Sequence, residues 1–281
     1  MEKNHIPPRF LAALVLLALF AGGCAAGRII ALPDRNPVEF SSLVEDLRGR
    51  RVVFVGEVHD SPAHHRMQLQ VINAMRRAGA DFAVGLEMFT RESQEALDNW
   101  VGGKIDKADF LEEYAKNWQA PWRLYKPIFL HARDYGIPLI GLNVSRDVIH
   151  RVFTGGLESL TQEEKEFFGP LECDVDERYA GVIREAIEEH DEVKGEFKNF
   201  CAAQMAWDIF MAKSIIEYLE KNPGRSMVVL SGNAHSWKRG IPRRLKERTD
   251  MSFVVVIPEM PEDIDRINTT KEDADYLWLE K

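Results

Sequence analysis

The sequence predicts an α/β fold with a mostly parallel central sheet, helical crossovers and a helical insertion. Two observations favour this fold. Short apolar runs rich in β-branched residues recur along the chain, and stretches with helical periodicity separate them. Strands that alternate with helices form parallel sheets, because each helical crossover returns the chain to the same edge of the sheet. The predicted strands are residues 52–55, 82–88, 139–144, 227–230 and 253–257.

Composition limits the class of protein. The chain has 281 residues, of which 45% are hydrophobic and 29% are charged, as expected for one large globular domain. The formal net charge is −9, and this acidity argues against nucleic acid as a partner.

Residues 1–23 have the pattern of a secretory signal peptide. Lys3 and Arg9 make a basic start, an apolar run follows at 10–20, and small residues lead to Cys24. The run is too short for a membrane-spanning helix. A cysteine directly after small residues is typical of the bacterial lipoprotein processing site, so we expect lipid on Cys24; ordinary cleavage nearby, with Cys24 unmodified, is the alternative. We therefore expect an exported bacterial lipoprotein, held in the cell envelope at the outer membrane by its lipid.

The mature chain is predicted to have a tether and one domain. The tether covers residues 24–39, and the α/β domain covers residues 40–281. Residues 146–220 carry helical, polar sequence with no strand signal, too long for a single crossover, and are predicted to form the helical insertion. Export implies an oxidising compartment. There, Cys173 and Cys201 either pair or remain buried free thiols, and the sequence leaves both alternatives open.

Polar side chains lie at the carboxyl ends of four of the predicted strands. Glu57 and His59 lie in a Gly-x-x-His sequence after the first strand, and His235 ends a second Gly-x-x-His after the fourth. Glu87 lies near the end of the second strand, and Asn143 lies near the end of the third. Ligands of open α/β sheets bind at this edge, so we expect these side chains to form a site.

Two kinds of chemistry suit this set of side chains. His59, Glu87 and His235 are ligand types for a divalent transition metal, which would activate water for hydrolysis. Without a metal, His59 is a candidate general base with Glu57 as the carboxylate that orients it. If the protein is a hydrolase, the catalytic residues are therefore predicted to be Glu57, His59, Glu87 and His235.

A predicted helix over residues 197–220 carries Gln204 and Asp208 four residues apart, on one face. Two interpretations stay open. The pair is either a solvated helix face or a support for the two strand-end histidines.

Several motifs in the same order resemble the ChaN family of haem-binding, iron-regulated lipoproteins in the Tiki-like superfamily. The motifs are G-E-V-H-D (56–60) followed by His65 and Gln68, L-E-M-F (86–89), W-R-L-Y-K-P-I (122–128), G-L-N (141–143), A-Q-M-A-W-D-I-F-M-A (203–212) and S-G-N-A-H (231–235). The resemblance covers about residues 40–257. It implies an α/β sheet with a helical subdomain, and haem bound between two protomers with tyrosine and histidine as axial ligands.

Relatives in the same superfamily imply a second activity. Tiki-type proteins are expected to hold a metal with the two Gly-x-x-His histidines and the strand-end glutamate, and to cleave peptides. Erythromycin-esterase relatives use the first histidine as a base. The same strand ends are therefore expected to support either binding or hydrolysis.

The candidate axial ligands of haem are Tyr179 and His190, in the helical insertion. They are eleven residues apart, so a helix would bring them close to the same face. We expect that face to be an exposed dimer surface; the alternative is that both are ordinary surface residues. His64 and His65 are fallback ligands.

The sequence thus predicts a membrane-anchored, homodimeric haem-binding lipoprotein in haem and iron uptake, with an outer-membrane haem receptor as a candidate partner. The alternative is a metal-dependent hydrolase, either a Tiki-like peptidase or an esterase-like enzyme, acting through the two Gly-x-x-His histidines.

Overall fold

A computed structural model describes residues 28–169, 173–188, 197–260 and 264–279. One sheet runs through the domain in the strand order β2-β1-β8-β7-β3-β6-β4-β5. The strands are β1 (Arg28–Ala31), β2 (Asn36–Val38), β3 (Val52–Glu57), β4 (Phe82–Thr90), β5 (Leu139–Asn143), β6 (Ser226–Gly232), β7 (Phe253–Pro258) and β8 (Tyr276–Leu279).

Helices cover both faces of the sheet. They are α1 (Phe40–Arg48), α2 (Pro62–Arg77), α3 (Gln94–Val101), α4 (Lys107–Asn117), α5 (Trp122–Tyr135), α6 (Arg146–Gly155), α7 (Gln162–Phe168), α8 (Glu177–Glu188), α9 (Phe197–Lys221), α10 (Asn233–Ser236) and α11 (Ile241–Lys246). All residues of β3 are buried, which explains why this strand is a continuous apolar run instead of an alternating one.

The sheet is parallel from β8 through β5, and its other edge is antiparallel. This confirms the predicted mixed α/β fold, and each of the five predicted strands is present. The antiparallel edge differs from the sequence prediction. Residues 28–38 lie in the predicted tether, yet β1 and β2 pair there, and β1 also pairs with β8. The side chain of Ile29 is buried in this pairing, which gives the segment a reason to join the sheet.

An aromatic cluster fills the core between the sheet and helices α3, α4 and α5. The rings of Trp100 and Phe110 stack with centroids 4.3 Å apart, and Phe89, Trp122 and Phe129 surround them. The indole N–H of Trp100 donates to the backbone oxygen of Phe129 at 2.9 Å, so its burial leaves no polar atom unpaired. This core packs against one face of the sheet.

The predicted helical insertion contains α6, α7, α8 and most of α9, and these helices share a hydrophobic core of their own. Cys173 and Cys201 form a disulfide with Cα atoms 5.5 Å apart, so the structure selects pairing over free thiols. The bond ties the segment before α8 to α9. Among the described residues, no helix is both long enough and apolar enough to cross a membrane. The predicted signal peptide and Cys24 lie outside the described residues.

Candidate functional site

The two Gly-x-x-His sequences meet because their strands are neighbours. β3 and β6 pair in parallel, with Glu57 opposite Gly232, so both loops leave the sheet at the same edge and height. β4 pairs with β6 on the other side and brings Glu87 to that edge. The sheet topology alone therefore gathers the strand-end side chains that the sequence predicted.

His59 is held by a buried carboxylate. Its Nδ1 lies 2.8 Å from Oε1 of Glu57, and the hydroxyl of Tyr125 donates to the same oxygen at 2.5 Å. The other carboxylate oxygen of Glu57 faces Nε2 of His65 at 3.2 Å. Because Glu57 is fully enclosed by these groups, the imidazole of His59 is fixed through its Nδ1 edge.

His235 is held in the same manner from the insertion. Its Nδ1 lies 2.6 Å from Oδ1 of Asp208 and 3.1 Å from Nε2 of Gln204. The hydroxyl of Tyr179 donates to Oδ2 of Asp208 at 2.9 Å, and the amide of Gln204 donates to that hydroxyl at 3.2 Å. Gln204 and Asp208 are both buried, so the structure selects histidine support over a solvated helix face.

Glu87 lies between the two histidines. The backbone N–H of Gly232 donates to its Oε2 at 2.6 Å, and its Oε1 lies 3.7 Å from Nε2 of His235. The pairing of β4 with β5 shifts register between Leu86 and Thr90, which re-aims this part of the strand. The side-chain amide of Asn143 donates to the backbone oxygen of Glu87 at 2.8 Å and fixes the irregular segment.

Neighbouring side chains pack closely against the glycine of each Gly-x-x-His sequence. A Cβ on Gly232 would lie 3.1 Å from Cε1 and 3.4 Å from Nε2 of His59, so the ring packs directly against the backbone. A Cβ on Gly56 would collide with the side-chain oxygen of Asn233. The glycines thus allow close contact between the two loops, and a side chain at either position would force neighbouring atoms to move.

A cavity of about 280 Å³ opens above these groups. One wall is polar and includes His59 and His235; the other is apolar and is formed by Val182 of α8, Trp237 and Ile264. The side chain of His59 is 44% exposed, whereas that of His235 is 10% exposed. His59 is therefore the more accessible of the two imidazoles.

The charges within the site raise the pKa values of both histidines. Burial alone would lower the pKa of His59, but its hydrogen bond to Glu57 and the charge of Glu87 raise it to about 9. Burial also lowers the pKa of His235, but the carboxylates of Glu87 and Asp208 raise it by more. Burial raises the pKa of Glu57, but the hydrogen bond and the charge of His59 help to lower it below its usual value. His59 accordingly carries a proton at neutral pH and is better suited to donate one than to act as the predicted general base.

The predicted metal triad of His59, Glu87 and His235 comes together, but its arrangement does not support the prediction. Within the part of the chain that the structure describes, no three His, Cys, Asp or Glu side chains are placed to hold a metal ion. Glu87 explains part of this result, because one of its oxygens is already used by a backbone N–H. Metal binding by His59, Glu87 and His235 stays a prediction.

Tyr179 does not fit the role of haem ligand. Its side chain is 1% exposed, and its hydroxyl is committed to Asp208. Burial and the charge of Asp208 raise the pKa of Tyr179 well above 10, which opposes the tyrosinate that ferric haem requires. The expectation that Tyr179 lies on an exposed surface is therefore wrong. His190 lies outside the described residues.

The fallback ligands His64 and His65 are buried as well. Nδ1 of His64 accepts a hydrogen bond from the backbone N–H of Val58 at 2.9 Å and so holds the loop after β3. The ring of His65 packs against that of Tyr125, with centroids 4.1 Å apart. Both histidines support the site from behind.

Sequence reasoning missed the roles of Tyr125 and Tyr179 as carboxylate partners. The ring of Tyr125 is fully buried, and its hydroxyl reaches Glu57. A buried carboxylate needs hydrogen-bond donors, so Glu57 and Asp208 signalled that such donors exist. Nothing in the spacing along the chain identified which residues they were.

Solved structures with similar folds include two that cover most of this chain. ChaN of Campylobacter jejuni, in a structure titled as cofacial heme binding, is 23% identical with a TM-score of 0.69, over 92% of this chain and 98% of that one. An erythromycin esterase mutant in its open conformation is 13% identical with a TM-score of 0.51, over 82% of this chain and 76% of that one. At these identities the likeness concerns the fold.

Among curated proteins, the chloroplastic Protein RETICULATA-RELATED 5 of Arabidopsis thaliana is 25% identical over 133 residues. The match covers 45% of this chain and 18% of the plant protein, so the chain spans less than a fifth of that relative's length.

A protein-family model described as haem-binding uptake, Tiki superfamily, ChaN matches residues 43–245. This range is most of the chain and includes the strand-end site and the described part of the helical insertion. It confirms the resemblance seen in the motifs: the chain belongs to the ChaN family of haem-binding uptake proteins in the Tiki superfamily.

Proposed function

We propose that this protein is a haem-binding lipoprotein of the bacterial cell envelope that takes part in haem and iron uptake. The family match over residues 43–245 is the observation that carries the haem-binding part. Haem titration followed by visible absorption tests it. We expect a saturable Soret band; absorbance that rises linearly with added haem, as for unbound haem, would contradict it.

The haem is proposed to bind away from the strand-end cavity. A cavity of about 280 Å³ is too small to enclose a porphyrin with its propionates, and such sites bury most of their ligand. We therefore place haem at a surface shared by two protomers of a homodimer, with His190 as an axial ligand.

Two variants test this placement of haem. His190→Ala should lower haem affinity tenfold or more, since loss of an axial ligand removes at least about 1.4 kcal/mol of binding. Tyr179→Phe is the matched variant in the same insertion, and its haem affinity should equal that of the wild type. Light scattering with and without haem gives the stoichiometry, and a haem-loaded monomer would contradict the shared surface.

Lipid on Cys24 is proposed to anchor the protein to the outer membrane. A single cysteine after a signal peptide supports this assignment, and the lipid would tether the domain without burying it. Radiolabelled palmitate should enter the wild type and not Cys24→Ser. Density-gradient fractionation should place the labelled protein with outer-membrane markers. Equal membrane recovery of Cys24→Ser would contradict the anchor.

The uptake role is proposed to involve an outer-membrane haem receptor. Cells that lack this protein should grow poorly when haem is the sole iron source, and should grow normally on ferric citrate. The wild-type gene should restore growth on haem, and the His190→Ala gene should not. Equal growth of all strains on haem would contradict a role in uptake.

A second candidate function is hydrolysis at the strand-end cavity, and the paired arrangement of His59 and His235 favours it. Each Nδ1 is bound to a buried carboxylate, and Glu87 lies close to Nε2 of His235. Protonated His59 would donate a proton to a leaving group, and Glu87 would accept one from water. These two proton transfers need one acid and one base in the same cavity, and the site contains both.

Hydrolysis of ethyl acetate tests the second candidate, because its alkoxide leaving group needs a proton, and a pH-stat follows the acid that is released. After subtraction of the uncatalysed rate, the wild type should hydrolyse the ester faster than His59→Gln, with a rate that falls as pH rises through about 9, where His59 loses its proton. Equal rates for the wild type and His59→Gln would contradict a catalytic role for His59.

A further inference from the structure

Two tyrosines reach the strand-end site from different parts of the fold. Tyr125 lies on α5, within the aromatic core behind the sheet, whereas Tyr179 lies on α8, within the core of the insertion. Both side chains are almost completely buried. Each phenol hydroxyl nevertheless donates a hydrogen bond to a carboxylate that is itself buried.

The contacts of the two tyrosines follow the same order. The hydroxyl of Tyr179 donates to Asp208 at 2.9 Å, and Asp208 lies 2.6 Å from Nδ1 of His235. The hydroxyl of Tyr125 donates to Glu57 at 2.5 Å, and Glu57 lies 2.8 Å from Nδ1 of His59. The site therefore contains two tyrosine–carboxylate–histidine chains that end at one cavity.

Each chain leaves the same ring nitrogen for the cavity. The Nε2 atom of His235 faces Glu87 at 3.7 Å, and Nε2 of His59 packs beside the backbone of Gly232, whose N–H binds Glu87. Without its tyrosine, the carboxylate would keep a buried oxygen with one donor fewer and would be free to rotate. Rotation of the carboxylate would release the Nδ1 edge of its histidine.

We propose that Tyr125 and Tyr179 are positioning residues, which fix Glu57 and Asp208 so that Nδ1 of His59 and of His235 is held and the Nε2 edge of each ring is left for the cavity. This role deepens the acid–base site of the second candidate function and is independent of haem binding. It also gives Tyr179, the residue predicted to bind haem, a specific place in the structure.

Nitrogen-15 NMR of the histidine rings tests the two chains separately. The protein is labelled on its eight histidines, and His59→Gln and His235→Gln identify the two signals of interest. Tyr179→Phe should shift the ring-nitrogen signals of His235 and leave those of His59 in place. Tyr125→Phe should do the reverse.

Tyr276→Phe is the matched control, because the hydroxyl of Tyr276 donates to Asp46 at 3.0 Å, in a tyrosine–carboxylate pair that does not involve the site. It should leave both histidine signals unchanged. Unmoved His235 signals in folded Tyr179→Phe, or equal shifts of both histidines in every variant, would overturn the proposal. If Tyr179→Phe does not fold, the ring-nitrogen signals of His59 in Tyr125→Phe test the proposal instead. The spectra need no turnover, so an absence of ester hydrolysis would count against the second candidate function alone.

Discussion

The pKa of His59 determines how the stability of this protein depends on pH. Burial lowers the pKa of His59, but the hydrogen bond to Glu57 and the negative charges of Glu87, Glu57 and Asp60 together raise it from 6.5 to about 9 in the folded chain. Below about pH 6.5 the imidazole is protonated in both the folded and the unfolded chain, so the stabilisation is fully present. It is lost as pH rises through about 9, because the folded protein must then release this proton.

The size of the effect follows from the same values. A rise from 6.5 to about 9 corresponds to at most about 3.4 kcal/mol, at about 1.4 kcal/mol for each pH unit. The side chain of His59 is 44% exposed, so solvent screening reduces this value. We expect about 1–2 kcal/mol of stability to be lost between about pH 6 and pH 10 on account of His59.

Urea denaturation at several pH values measures this loss. The wild type is compared with His59→Gln, which keeps a hydrogen-bonding side chain beside Glu57 but cannot titrate. The difference in unfolding free energy between the two proteins should shrink by about 1–2 kcal/mol as pH rises. Subtraction of the variant removes the contributions of titrating groups that do not interact with His59. Parallel profiles for the two proteins across this range would refute the reasoning.

Three further predictions concern stability. Gly232→Ala should cost about 1–3 kcal/mol in thermal unfolding, because the new Cβ meets the ring of His59; an unchanged melting temperature would contradict the close packing. Cys201→Ser should cost about 2–4 kcal/mol, since the bond to Cys173 closes a loop with a sequence separation of 28 residues. Denaturation of the wild type with and without reductant should show the same difference, and insensitivity to reductant would count against the bond. Trp100→Ala should cost about 3–5 kcal/mol by urea denaturation, because it empties the centre of the aromatic core; a loss below about 1 kcal/mol would mean that this core is not closely packed.

The strands and the gathering of the site were predictable from sequence for physical reasons. A strand buried on both faces must be apolar throughout, so β3, β4, β6 and β7 were visible as runs. The polar residues that follow such runs lie at one edge of a parallel sheet, which located Glu57, Glu87 and His235.

The antiparallel edge of the sheet was not predictable from local pattern. β1 and β2 have four and three residues, and β1 is held by its pairing with β8 from the far end of the chain. Pairing over such a sequence distance leaves no periodic signal in either segment. The burial of Tyr179 was not predictable from local pattern either, because it depends on how α8 packs on α9.

The role of Tyr179 shows where sequence reasoning needed tertiary information. Tyrosine and imidazole are sound ligands for ferric haem, and their spacing suited one helix face. Burial makes Tyr179 unsuitable as a haem ligand, because a phenol that donates to Asp208 in the interior does not ionise readily. Burial depends on packing between elements and not on the composition of one helix.

The most direct test of this account is a haem titration of the wild type beside the His59→Gln/His235→Gln double variant. Haem is proposed to bind away from the strand-end site, so both proteins should show the same saturable Soret band with the same affinity. Loss of haem binding in the folded double variant would contradict it and would make the strand-end histidines the haem ligands. Absence of a saturable band in both proteins would contradict haem binding by this chain.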